Sequence, residues 1–282
     1  MAQNTTNSQA IIKDNVASML IKPLEASSVI LGSGVQVFNS SAPIRIPRVG
    51  NLDPAADFVG ESERIPDDGS LEFSELKLMP YDRKSIKAIV RVSNECIRQA
   101  VTGVSAELQS AVVTSVRKRL DDALLSGDGT DETITGLLNQ TEVESLTFDA
   151  SNPDTILDAI ADMGGDEVIP NRLIVSGDDF KVIRKLKDKN GRYLLQTDLT
   201  ANAPYQIHGI PVTVTNKLEA GTAIMANMRA IAVVRDIDPT VTILNERYAE
   251  YDQVGIRVAC RYDLGVIRPE GVRILKAGAE AA

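Results

Sequence analysis

Tryptophan is absent, histidine occurs once, cysteine twice, and aromatic residues make up only 4% of the 282 positions. With so few aromatic anchors, the core must rest on Val, Ile, Leu and Ala. Cys96 and Cys260 are far apart, and no CxxC or Cys/His cluster exists, which excludes a structural zinc site. Two buried, reduced thiols are expected instead. His208 is the only imidazole available to a Ser–His–Asp triad or a thiol–histidine dyad. It lies in QIHGIPV beside a predicted strand, no serine sits in a GxSxG elbow, and neither cysteine has a histidine neighbour. The glycine-rich GSG (Gly32–Gly34) and GDGT (Gly127–Thr130) do not continue into GxxxxGK[ST] or GxGxxG. No run of 18 apolar residues occurs, so no helix is expected to span a membrane. The opening MAQNTTNSQA lacks the basic n-region of a signal peptide. No catalytic residue, cofactor site or metal site is assigned.

What is present is acidic. Against 30 Lys and Arg stand 39 Asp and Glu, a net charge of −9, which excludes a grip on nucleic acid by phosphate neutralisation. With 43% hydrophobic and 24% charged residues the composition is that of a globular chain able to bury a sizeable core.

Periodicity divides the chain. Residues 1–10 read as a polar tail. Ile11, Ile12, Val16, Met19 and Leu20 recur at helical spacing before Pro23. Ser28–Arg48 alternates with Gly and Pro punctuation, as strand, turn, strand. Leu71, Phe73, Leu76 and Leu78 alternate, as do Ile86, Ala88, Val90 and Val92. Then the period changes: Ile97, Val101, Val104, Leu108, Val112, Val116, Leu120 and Leu124 follow at steps of 3 or 4, so one long helix runs from about Ser93 to Ser126, with GDGT as its stop. DGTDETITG has the carboxylates but not the spacing of a calcium loop. Further on, a helix is expected over Pro153–Met163 and a strand over Arg172–Val175. Ser176–Asp179 forms a capping box, with Asp in place of Glu or Gln, that opens a helix through Leu186. Asp188–Arg192 reads as a turn. The remaining strands are Ile210–Thr215, Thr222–Ala226, Ala230–Arg235, Thr240–Leu244, Tyr251–Leu264 and Val272–Lys276.

Between the early strands lies ADFVGESERIPDDGSLEF (Ala56–Phe73), with Asp57, Glu61, Glu63, Asp67, Asp68 and Glu72 against one base, Arg64. Pro66–Gly69 is turn chemistry, so the region from about Pro47 to Lys84 reads as a long hairpin, too polar along most of its length to be buried in its own subunit.

The order of these segments carries a resemblance. IPR (Ile46–Arg48), FVGESERIP (Phe58–Pro66), LEFSELKLMPYDRKSIKAIVRVSNE (Leu71–Glu95), a long helix, GDGT, TGLL (Thr135–Leu138), SGDDF, GIPV (Gly209–Val212) and RYDLGVIRPEGVRIL resemble the major capsid protein of tailed bacteriophages, the Hong-Kong-ninety-seven-type capsid fold, over residues 29–276. The resemblance implies an α+β fold with an N-terminal arm (1–28), peripheral-domain strands (29–46), an extended loop (47–84), a peripheral domain with the spine helix (85–147), an axial domain (148–254) and peripheral return strands and tail (255–282). It implies a structural subunit, not an enzyme, that self-assembles through hexamers and pentamers into an icosahedral head around double-stranded DNA. Its partners would be copies of itself, a portal, and separate scaffolding or decoration proteins, with no cofactor and no membrane. It would be assembled in the host bacterial cytoplasm. The extended loop of the family reaches over a neighbouring subunit. Glu61, Glu63, Arg64, Asp67 and Asp68 are therefore expected inter-subunit contacts, with Lys77, Arg83 and Lys84 as candidate basic counterparts. An acidic wall also suits a container that must not hold its DNA tightly.

Two other readings compete. An encapsulin-type nanocompartment shell shares the fold, and the apolar spacing of Ile11–Leu20 fits its N-terminal helix. A hydrolase built on the carboxylate cluster would lose activity when those carboxylates become amides. Two departures from the family stand out. About 28 residues precede the first strand, so scaffolding is expected to be a separate protein or unnecessary. Lys77 lies on the hairpin but no Asn lies in Tyr251–Leu264, so the Lys–Asn cross-link of the type member is not expected. Boiled, reduced shells should run as a monomer band on a denaturing gel; a ladder of multimers would contradict this.

Overall fold

The computed structural model describes residues 28–49, 73–95, 104–187, 205–244 and 246–278. In chain order these form β1 (Gln36–Asn39), β2 (Ile44–Val49), β3 (Phe73–Leu78), β4 (Ile86–Ser93), α1 (Val104–Ser126), β5 (Glu144–Phe148), α2 (Asp154–Gly165), β6 (Arg172–Ser176), α3 (Gly177–Lys185), β7 (Gln206–Ile207), β8 (Ile210–Thr215), β9 (Thr222–Ala226), β10 (Ile231–Leu244), β11 (Gln253–Val266) and β12 (Val272–Ala277).

Helix α1 is 23 residues, about 35 Å at 1.5 Å per residue. Its apolar positions follow the i, i+4 spacing of one face, and Val112, Val116, Leu120 and Leu124 are all buried. That face lies on a four-stranded sheet in the order β1-β10-β11-β4. Alternation decides what the sheet offers it. Val258, Cys260, Tyr262 and Leu264 of β11 point inward with Ile231 and Val233 of β10, and the inward side of β4 (Ile86, Ala88, Val90) packs beside them.

A second, six-stranded sheet has the order β5-β12-β9-β6-β8-β7. Ile174, Ile224 and Ile274 stand in register across β6, β9 and β12, and they join the core beneath α1. The opposite side, with Leu173, Val175, Met225 and Leu275, is covered by Ile156, Ala159 and Met163 of α2 and Ile183 of α3. The two layers therefore share one apolar centre.

Three buried polar groups tie these layers. Ser176 caps α3 by accepting from the Asp179 N–H at 3.1 Å. The Asp179 carboxylate does not return to the cap backbone as in the expected box. It accepts from the Ser176 hydroxyl at 2.8 Å and from the Gly221 N–H at 2.9 Å, locking α3 to the turn before β9. Arg273, 4% exposed on β12, meets Asp162 of α2 at 2.6 Å and also Asp166, the residue that caps the C-terminus of α2. Burial works against its charge, yet the two carboxylates together hold the guanidinium above its ordinary value. At the start of the described chain, the Ser28 hydroxyl donates to Asp121, a 4% exposed carboxylate on α1.

The structure changes several sequence expectations. Ser28–Gly34 is no strand: Leu31–Ser33 is a 3-10 turn, and Leu31 and the preceding Ile30 are buried. Strand pairing of the hairpin begins at Ile44 opposite Leu78, not at Pro47. The strands expected at Ala230–Arg235 and Thr240–Leu244 are one strand, β10, with register shifts between Arg235, Ile237 and Thr240 that absorb Pro239. Strands β5 and β7 were not anticipated. The sheets also cut across the expected division at residues 254 and 255. β10 lies in the α1 sheet, and β12, expected to return to it, pairs with β5 and β9 in the other. The expected helix at Ile11–Leu20, the start of the long helix at 96–103 and the turn at Asp188–Arg192 lie outside the described residues; Asn94 and Glu95 are helical.

Burial raises the Asp121 carboxyl above its ordinary 3.8, against the opposing hydrogen bond from Ser28. A raised folded value stabilises the protein below the unfolded pKa, and that contribution is lost as pH rises through the folded one. The melting temperature of the wild type minus that of Asp121→Asn should therefore fall as pH rises from about 3 to about 6. A difference that rises over the same interval would contradict the assignment.

Candidate subunit interface at the hairpin base

Strands β2 and β3 form a two-stranded hairpin outside both sheets. The residues that follow it, Met79–Lys84, mount it on the body, and β11 supplies the groups that hold them. RYDLG in β11 places Arg261, Asp263 and Gly265 on alternate positions facing away from α1. Asp263 is fully buried and accepts from the Met79 N–H at 2.7 Å and the Arg83 guanidinium at 3.1 Å. Arg261 donates from Nε to the Arg83 carbonyl at 2.9 Å, and from Nη2 to the Pro80 and Tyr81 carbonyls, each at 2.9 Å. Its remaining nitrogen, Nη1, meets Asp236 of β10 at 2.8 Å. One strand thus presents an acceptor for the donors of the turn and a five-donor fork for its carbonyls.

The turn needs such fixation. Met79 has φ 56, a left-handed conformation that costs a bulky residue energy, and its side chain is 1% exposed. Gly265 makes room: a Cβ there would stand 2.7 Å from Leu78 Cδ2 and 3.0 Å from Leu76 Cδ1. Leu76, Leu78, Met79, Ile44 and Ile46 then pack on Ala232 and Val234. From β2, Arg48 donates to the Val266 carbonyl and pairs with Glu142.

The end of α1 is bound into the same junction. The Arg83 guanidinium donates to the Thr133 carbonyl, and the Lys84 N–H donates to Glu132 at 3.0 Å. The GDGT stop has physical reasons. Gly127 donates to Ala123 at 3.0 Å and accepts from Gly136 at 2.8 Å. A Cβ on Gly136 would lie 2.5 Å from the Gly127 nitrogen. Asp128 accepts from the Thr130 hydroxyl at 2.7 Å and from its N–H, which lowers the pKa of the carboxyl. DGTDETITG is thus a helix-terminating turn, as read from its spacing. Among the described residues no group of three or more His, Cys, Asp or Glu is placed to hold a metal ion.

The site residues expected from sequence fare unevenly. Glu61, Glu63, Arg64, Asp67 and Asp68 lie outside the described residues. Lys77 is exposed on β3, beside Arg45, at an open groove of about 580 Å³. Lys84 has an exposed side chain. Arg83, expected to face another subunit, has its guanidinium engaged inside its own chain by Asp263 and Thr133. Arg261 and Asp263 were missed, although two charged residues at alternate positions of an apolar strand mark groups that need partners. Cys260 is fully buried and its thiol is pushed up to about 12 by burial, whereas His208 is exposed in the two-residue turn between β7 and β8, at φ 49 followed by Gly209 at φ 81. A buried thiol and an exposed imidazole do not make a dyad. Among the described residues no helix is long and apolar enough to cross a membrane.

A rigid mount for a projecting hairpin is a mechanical device, and the comparisons agree with that reading. The model of the phage capsid family matches residues 9–277, so the chain belongs to that family. It is a structural protein, a major capsid subunit of an icosahedral phage head. Among solved structures, the capsid of a native GTA particle matches with a TM-score of 0.71 at 16% identity, covering 89% of this chain and 90% of that one. A chain from Mycobacterium phage Adephagia matches with a TM-score of 0.71 at 16% identity over 90% of this chain and 91% of that one. One from Mycobacterium phage Cain gives 0.67 at 16% identity over 90% and 91%. These are likenesses of fold; the match to the phage capsid family is what favours a phage capsid over an encapsulin-type shell. No curated protein matches.

Asp263→Asn removes the anion from the buried Arg83 guanidinium, a change expected to cost about 3–5 kcal/mol. Hydrogen exchange should then rise first in β2, β3 and Met79–Lys84. Equal protection of these amides in variant and wild type would contradict the mount.

Proposed function

We propose that this subunit assembles by contacts between its own copies, through hexamers and pentamers, into a closed head around double-stranded DNA that it does not read. The observation that carries this reading is the hairpin β2–β3: it belongs to neither sheet, yet two side chains of the body (Arg261 and Asp263) and two of the hairpin and its turn (Arg48 and Arg83) fix its base. A projecting element is fixed this firmly when its direction matters, and the direction matters for a partner. In this reading the hairpin is the extended loop and reaches a neighbouring subunit. The four-stranded sheet with α1 is the peripheral unit, and the six-stranded sheet with α2 and α3 is the axial unit near the capsomer axes. The contacts at Glu61, Glu63, Arg64, Asp67 and Asp68 are to other copies, as are those of Lys77 and Lys84. A portal and separate scaffolding or decoration proteins complete the head, which is built in the cytoplasm of the host bacterium. The subunit performs no catalysis.

Negative-stain electron microscopy of the chain expressed alone should show closed shells or rings of five and six. If it stays a monomer alone, co-expression with the neighbouring phage proteins should produce them. A chain that stays monomeric in both settings contradicts the proposal.

A further inference from the structure

The outward face of the four-stranded sheet, turned away from α1, has two unlike halves. At one end Gly265, Asp263 and Arg261 of β11 stand with Ala232 and Val234 of β10 beneath the hairpin base. Following β11 back toward its start, the same side carries Ala259, Arg257 and Gly255. Their neighbours on β4 are Lys87 opposite Ala259, Ile89 opposite Arg257 and Arg91 opposite Gly255. This half is open in the single chain: Ile89 is 45% exposed, and Lys87, Arg91 and Arg257 are exposed around it. Arg257 lies directly across from Ile89, with the two β4 cations diagonal to it, within about 8 Å. Arg91 lies over the Tyr248 ring at 5.0 Å. Among the described residues no carboxylate pairs with Lys87 or Arg257.

Three like charges around one exposed aliphatic side chain repel one another and leave apolar surface in water, so the arrangement favours an acidic partner that carries apolar residues of its own. This chain contains such a segment. Ala56–Phe73 has six carboxylates to one guanidinium, with Phe58, Val59 and Ile65 interleaved. We propose that Lys87, Arg91 and Arg257, with Ile89 at their centre, form the docking face for Ala56–Phe73 of a second copy of the chain. The proposal rests on the shell reading and adds three basic counterparts to those expected from the sequence. The covered half of the face holds a hairpin base in place, and the open half receives the tip of another.

The test is charge exchange between face and tip. One variant reverses the face (Lys87→Glu with Arg257→Glu) and another reverses the tip (Glu61→Lys with Glu63→Lys and Asp67→Lys). Face side chains are exposed, so circular dichroism and melting should match the wild type. Each variant alone should lose shell yield by more than about tenfold. A chain carrying both sets of reversals should recover it, because each reversed tip then finds a reversed face on the neighbouring copy. Folded single-set variants that assemble normally would overturn the proposal, as would a folded combined variant that stays defective. Intact assembly with loss of enclosed DNA would also overturn it and assign the face to nucleic acid. If the wild type forms no shell, alone or co-expressed, the shell reading is what fails. The face then stands or falls on a synthetic 56–73 peptide, which should bind the soluble wild type at least tenfold more tightly than the face variant; equal or absent binding overturns it.

Discussion

The pair of alternate charged residues on β11, Arg261 and Asp263, is the constraint on which the functional geometry depends. Each is turned from solvent and each is satisfied by the same short turn, Met79–Lys84. A buried carboxylate without Arg83 and the Met79 N–H would be strongly unfavourable, and the left-handed backbone of Met79 would relax without Asp263. The two costs are met by one arrangement, so the direction of the hairpin follows from the polar bookkeeping of a single strand. The turn that follows α1 joins in through Thr133 and Glu132, which ties the spine helix, the sheet and the hairpin together.

The rest of the molecule repeats this device at lower stakes. The apolar centre shared by both sheets supplies most of the stability, through Ile174, Ile224, Ile274 and the α1 stripe. Buried polar pairs then set position: Ser176 and Asp179 lock α3, Arg273 locks α2, and Asp121 holds the chain at Ser28. Such pairs add less to stability than apolar burial does, but they allow only one placement of the elements they join. A shell subunit needs that property, because many copies must present the same surfaces.

Local patterns reached the sequence reading well and long-range ones did not. The i, i+4 stripe from Val112 to Leu124 and the GDGT stop are visible because helix period and glycine sterics act within a few residues. The alternation of β4, β8 and β11 and the short apolar runs of β6, β9 and β12 were equally plain. ESLTF, now β5, was missed because only Leu146 and Phe148 face inward and its partner, β12, lies at the far end of the chain. Pro239 read as a break because register shifts that admit it depend on β11. The intrachain partner of Arg83 went unseen for the same reason: Asp263 is 180 residues away, and nothing near Arg83 announces it. The family order of motifs carried the function, while the division into units was blurred because β10 and β12 exchange sheets relative to their order in the chain.

The most direct test of the account is a near-atomic reconstruction of the assembled shell. It should show each hairpin lying over a neighbouring copy, with Asp263 still joined to Arg83 and Met79 and with Arg261 still on the Pro80 and Tyr81 carbonyls. A shell in which the hairpin folds back on its own subunit, or in which this junction is open, would contradict the claim that β11 sets the direction of assembly.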